Sequence, residues 1–168
     1  MNEVMNSMID NKSEEEIINS KKEQFKDEIK EYKDLIDMLN AVEGIIIDTS
    51  QKISIAFIIE EMKNKNPEGW RDELKEFKDK IENKAKEGGE AEVSWFLSEY
   101  ISAVYLDFLK RREESVKDEA LKKRIGMIRE NSEENLNFRR KHHKEGEPVA
   151  FGGVSMDYTP EWHRYKDL

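Results

Sequence analysis

The chain has 168 residues, 40% of them charged and 36% hydrophobic, and a net charge of −9. That length holds one domain, and an apolar share below the usual ~45–50% implies a thin bundle or one that completes its core by oligomerising. The charge runs −11 over 1–109, +4 over 110–145 and −2 over 146–168, so the acidic body argues against general nucleic-acid affinity and leaves one local basic segment.

There is no cysteine, which excludes disulfides, thiol catalysis and cysteine-held zinc. The opening MNEVMNSMIDNK has neither the basic nor the apolar region of a signal peptide, and no apolar run approaches membrane-spanning length. A cytoplasmic protein with no membrane association is the expectation. The Lys/Glu/Ile/Asn-heavy composition fits an AT-rich prokaryotic or viral genome.

Residues 1–12 read as a flexible leader. Ser13 with Glu16 forms a capping box, and Glu14 and Glu15 suit the positive end of a helix dipole. Ile18, Phe25, Ile29, Tyr32, Ile36 and Leu39 then mark one helix with a narrow apolar seam. Gly44 interrupts it, and Asp48, Thr49 and Ser50 offer new N-caps. A second helix is predicted over 50–63, with Ile53, Ala56, Phe57 and Met62 facing inward.

Asn66-Pro67 reads as an N-cap followed by proline at the first helical position. Trp70, Leu74, Phe77 and Ile81 define a third helix, ended by Gly88-Gly89. The fourth is the most apolar: Val93, Trp95, Phe96, Leu97, Tyr100, Ile101, Val104, Tyr105, Phe108 and Leu109 cover more than one face. So wide an arc predicts a central position or a subunit interface. Lys110-Arg111-Arg112 then signals solvent. Either this helix continues, or Ser115 with Asp118 caps a fifth, whose seam runs through Leu121, Ile125 and Ile128 and fades to Leu136 and Phe138. No β alternation is present. The fold class is all-α: a four- or five-helix bundle over 13–144.

The segment 145–168 breaks the pattern. It holds two of three prolines and three of eight glycines, with Phe151, Tyr158, Trp162 and Tyr165 as large side chains. Pro160 with Glu161 predicts a short terminal turn over 160–166. This aromatic tail either folds back on the bundle or docks on a partner, with Gly152-Gly153 as its hinge, and the four aromatics are the candidate partner anchors.

Candidate chemistry is sparse. The histidines, His142, His143 and His163, never follow an acid by three residues, as a di-iron bundle needs. Glu28–Glu31 and Glu76–Asp79 match the spacing with which helical nucleotide pyrophosphohydrolases hold magnesium, but both pairs flank seam residues and read as solvated faces. Gly152-Gly153 lacks the Lys-Ser/Thr of a phosphate loop. No catalytic, metal or cofactor-binding residue is assigned, and the chain is expected not to be an enzyme.

The basic run Arg139, Arg140, Lys141, His142, His143 and Lys144 has two readings. It complements a helix C-terminus, or it meets phosphates or an acidic partner. The leading expectation is a non-enzymatic interaction protein (subunit, adaptor or inhibitor) acting through the wide apolar helix and the aromatic tail, with another protein as partner and homo-oligomerisation as a further option. The alternative is a subunit of a nucleic-acid-processing complex using 110–112 and 139–144. A magnesium-dependent pyrophosphohydrolase is the remote third.

Overall fold

A computed structural model describes residues 2–152 and 158–168, with side chains from residue 13 onward. Five helices follow in order: α1 (Asn2–Gln24), α2 (Lys26–Asn40), α3 (Thr49–Lys65), α4 (Trp70–Ser115) and α5 (Glu119–His142), then a 3-10 turn at Glu161–Tyr165. No strand occurs among the described residues. The all-α expectation holds. No helix among them is long and apolar enough to cross a membrane.

The first predicted helix differs from its reading at its start and in its middle. It begins at Asn2 rather than Ser13, since nothing in residues 2–12 is a proline or glycine that would stop propagation. It also kinks at Phe25, whose φ of −105° and ψ of 16° separate α1 from α2. The backbone bonds on either side survive, Phe25 N–H to Lys21 and Ile29 N–H to Phe25. The kink turns the Phe25 ring into the body, beneath the Lys21 and Lys63 ammonium groups.

After α2 the chain turns at Gly44, whose φ of +92° an L side chain rarely adopts. The following leg is extended, so its side chains alternate: Ile45 and Ile47 are buried while Ile46 is 87% exposed. Asp48 then caps α3 in a reciprocal box with Gln51.

The central helix is α3, not the fourth. Ile53 and every residue from Ser54 to Ile59 are buried, so it is enclosed on all sides rather than along one seam. Residues 66–69 form a turn in which Asn66 Oδ1 accepts from the Gly69 N–H at 3.0 Å, and the helix starts at Trp70, four residues past the cap read from the sequence.

The long element α4 is a hairpin. Gly88 (φ −155°, ψ 15°) and Gly89 (φ 61°, ψ −139°) leave helical geometry between two limbs. Phe77 lies 5.6 Å from Phe96 and 4.6 Å from Tyr100. In a straight helix residues 19 apart would be ~28 Å apart, so the limbs 70–87 and 90–115 run antiparallel.

A second reversal follows, where Asp118 caps α5 by accepting from the Ala120 and Leu121 N–H groups. Glu113 pairs with Arg129, and Glu99 pairs with Arg140 at 2.8 Å, which sets α5 antiparallel to the second limb of α4. The helices approach closely at Gly126, where a Cβ would fall 2.8 Å from Glu113 Oε1.

The wide apolar arc of the second limb is filled from within the chain. Phe77 takes Phe96 and Tyr100, Phe57 takes Tyr105 and Phe108, and the tail lays Tyr158 on Phe108 at 4.7 Å.

Candidate functional site

The tail returns to the body, and its four aromatics end on the chain's own helices. Phe151 is buried in the core. Tyr158 packs edge-on against Phe57 at 4.9 Å and donates its O–H to Glu61 Oε1 at 3.3 Å. Burial first, then Glu61 and Glu60, push that phenol up to about 12. Trp162 is 1% exposed, sits edge-on to Tyr32 and donates Nε1–H to Glu60 Oε2 at 2.7 Å. Tyr165 stacks on Phe25, and Glu161 pairs with Lys21 at 3.0 Å. The predicted terminal turn is present as the 3-10 turn behind Pro160. Of the hinge, Gly152 has φ +119°, while Gly153 lies outside the described residues.

Glu61 is the polar hub of this closure. Its side chain is 3% exposed and meets both Arg111 and Tyr158. Of the basic segment 110–112, Arg111 therefore turns inward, also reaching Asp107, while Arg112 lies over the Phe108 ring.

The basic run divides. Arg139 turns toward α4: Nε donates to Asn135 Oδ1 at 3.0 Å, Nη2 to Ser102 Oγ at 2.6 Å, and Nη1 to Ser98 Oγ. Arg140 pairs with Glu99. His143 stacks flat on Trp95 at 3.8 Å, with Nδ1 buried and without a hydrogen-bond partner. His142 lies against Phe138 at 4.3 Å. Lys141, His142 and Lys144 remain exposed. The structure thus does not gather the six into one outward patch.

Beside Arg139 opens a cleft of about 300 Å³ lined by Ile101, Ser102, Tyr105, Ser132, Asn135, Arg139 and Gly152. Helical spacing explains the convergence. Ser98 and Ser102 are one turn apart on α4, and Ser132, Asn135 and Arg139 share a face of α5 at steps of three and four. Burial, then the neighbouring Arg140, lowers the Arg139 guanidinium from its ordinary value. Ser98, Ser102 and Ser132 carried no signal as isolated serines in the sequence. A reading of both helices as a pair would have placed them opposite Arg139.

The outward side of α5 has its own character. Met127 is 63% and Phe138 64% exposed, and Leu121 and Ile128 are also exposed. Met127 and Phe138 are 11 residues apart, about three turns and ~16 Å along one line of the helix. Lys123 and Arg124 are exposed one turn before Met127, and Lys141 and Lys144 are exposed beyond Phe138, with no ion pair to any described residue, while the exposed Glu130 and Glu134 lie between Met127 and Phe138.

Of the two acidic pairs, Glu28 and Glu31 face cations. Glu28 is buried with Lys63 at 3.5 Å from Oε1, its Oε2 unpartnered, and Glu31 meets Lys78 at 2.5 Å. Glu76 and Asp79 are exposed on the first limb of α4. Among the described residues no three His, Cys, Asp or Glu side chains gather as a metal site would require.

Comparison with protein-family models, curated proteins and solved structures finds no match to this chain.

Proposed function

We propose that this chain is a non-enzymatic interaction protein that holds an acidic protein partner against the outer face of α5. The observation that carries the reading is the exposed line of Met127 and Phe138, which has cations without ion-pair partners among the described residues at both ends and Glu130 and Glu134 along its middle. Single exposed apolar side chains are ordinary on a protein surface. Two large ones aligned on one helix, with Lys123 and Arg124 at one end and Lys141 and Lys144 at the other, have the composition of apolar anchors with a charged rim. The rim selects an acidic surface, and opposite charge raises the rate of encounter.

This places the contact on a different surface from the one the sequence favours. The wide arc of α4 and the tail aromatics have neighbours within the chain, so they offer little to a partner. Two placements weigh against the nucleic-acid reading: Arg139 and Arg140 turn to α4, and Arg111 turns to Glu61. The magnesium reading is weakened by the lysines that meet Glu28 and Glu31.

The test uses the full chain, the variant M127D/F138D and the variant K123E/R124E as baits in native extract, followed by titration of the purified captured protein. The expected result is one acidic protein bound by the native chain, weakened by salt and lost from both variants, whose melting stays native. Release by nuclease would favour the nucleic-acid alternative. A native chain that dimerises while M127D/F138D does not would assign the face to a second copy. Equal capture by all three baits sinks the proposal.

A further inference from the structure

We propose that the cleft between the second limb of α4 and α5 binds the phosphate group of a small phosphorylated molecule, with Arg139 as its principal ligand. Arg139 differs from the other arginines that cross between helices. Arg71, Arg111, Arg129 and Arg140 each reach across to another helix, and each meets a carboxylate there: Asp27, Glu61, Glu113 and Glu99. Arg139 makes the same crossing and meets only the hydroxyls of Ser98 and Ser102. No carboxylate among the described residues pairs with it. Burial and the neighbouring Arg140 cation both work against the guanidinium. A partly buried cation held by neutral oxygens alone lacks the counter-charge that such groups normally find.

The donors left over point to what supplies that charge. A guanidinium carries five N–H donors, and three are engaged here. One N–H on each terminal nitrogen remains. Ser102 accepts from Arg139, so its own O–H is left to donate, and Ser132 lines the cleft with no hydrogen bond to a described side chain. The Asn135 amide gives its oxygen to Arg139 and keeps its two N–H donors. Donors from two helices thus surround one space that, among the described residues, no acidic side chain lines. That arrangement suits a many-oxygened anion, because a phosphate accepts from several directions where a carboxylate accepts in one plane.

The cleft is larger than the anion alone needs. At about 300 Å³ it lies at the small end of ligand pockets, and Ile101 and Tyr105 give it an apolar side. The ligand is therefore a phosphate monoester with a compact organic body. A nucleic-acid polymer is disfavoured by the net charge of −9 on the chain. Met127 and Phe138 lie about 100–120° round α5 from Arg139 and do not line the cleft, so the two surfaces can be tested by separate substitutions.

The test is calorimetric titration of the full chain, at low salt, with glucose 6-phosphate, inorganic phosphate and acetate. Saturable binding is expected in that order of strength. Arg139→Gln should weaken glucose 6-phosphate about tenfold or more, as loss of a charge-assisted contact does. Ser132→Ala should weaken it severalfold with the unliganded melting temperature unchanged. Should Arg139→Gln fail to fold, Ser132→Ala and Asn135→Ala decide the matter. Absence of saturable binding by any probe overturns the proposal. So does binding that both serine and asparagine variants leave intact, and acetate binding as strong as phosphate overturns the choice of anion.

Discussion

Replacing Trp162 with alanine tests whether the tail is a structural part of the bundle. The indole is 1% exposed, lies edge-on to Tyr32 at 5.7 Å and donates to Glu60 at 2.7 Å. A tryptophan buries about 200 Å², which at ~25 cal/mol per Å² is roughly 5 kcal/mol. Large-to-small substitutions of buried aromatics cost about 3–5 kcal/mol, the deleted hydrogen bond included. A second limit applies here, because the tail is able to leave the surface as a unit. The loss therefore cannot exceed the loss caused by ending the chain at Lys144. For a domain of this size ~4 kcal/mol lowers the melting temperature by roughly 8–16 °C. Urea melts of the native chain, Trp162→Ala, Trp162→Phe and the truncated chain give the four numbers needed. Trp162→Phe keeps most of the ring and loses the donor, so about 1–2 kcal/mol is expected. A Trp162→Ala chain within about 0.5 kcal/mol of native, a difference typical of surface changes, would refute the docked tail.

The hairpin of α4 depends on Gly89, whose φ of 61° and ψ of −139° suit glycine alone. Gly89→Ala meets no atom within 4 Å, so the expected loss of about 1–3 kcal/mol in chemical denaturation is purely backbone strain. Arg111→Ala leaves the buried Glu61 with Tyr158 as its hydrogen-bond donor. A loss of about 2 kcal/mol is expected, below the 3–5 of a fully buried pair because Arg111 is half exposed, and adding Glu61→Gln should recover part of it. His163 lies by Tyr32, and burial first, then Lys166, lowers its pKa, with Asp167 opposing and Lys52 adding to the fall. The folded state favours the neutral ring, so this stability is present above the unfolded value of about 6.5 and is lost as pH falls through the lowered folded value. Melting temperature measured between pH 8 and 5 should fall less steeply in His163→Gln than in the native chain.

Elements were legible wherever a local rule decides them. The Asp48 cap and the break at Gly88-Gly89 each follow from residues within a few positions, and both are observed, whereas the sequence offers Ser115 with Asp118 as the cap of the fifth helix and the structure ends α4 at Ser115 and caps α5 with Asp118 itself. The central helix was not legible by the same means. Ile53-Ser-Ile-Ala-Phe-Ile-Ile satisfies a one-face seam through Ile53, Ala56 and Phe57, yet Ile55, Ile58 and Ile59 are buried as well. Periodicity sees one covered face, whereas α3 has neighbours all round because α2, the α4 hairpin and the tail all close on it. The fourth helix misleads in the opposite sense. Its wide arc reads as central or intermolecular, but it faces two helices and the tail in turn. The tail's composition announced that large aromatics needed cover, and only the fold shows that Tyr32, Phe25 and Phe57 supply it. Arg139 was legible as a cation but not as an inward one. Its direction depends on the register that sets Ser98 and Ser102 opposite it.

The way α5 is attached sets it apart from the rest of the bundle. Within the helix only Ile125, Gly126 and Leu136 are buried, so little apolar area holds it in place. Its attachment is instead polar: Arg129 to Glu113, Arg140 to Glu99, and Arg139 to two serines. Partly exposed ion pairs contribute about 0–1 kcal/mol each and weaken with salt, whereas α3 is fixed by a continuous apolar surround. Local opening should therefore be cheapest at α5. Amide hydrogen exchange is expected to be faster along 121–138 than along 53–62, and the gap should widen as ionic strength rises. Equal protection of the two helices would contradict this account, since it would mean that the polar contacts bind α5 as firmly as burial binds α3. A helix held this way answers to anything that adds contacts on either side. An anion beside Arg139 would tighten the inner face, and a partner on Met127 and Phe138 would cover the outer one. Each would raise α5 protection by the free energy of its own binding.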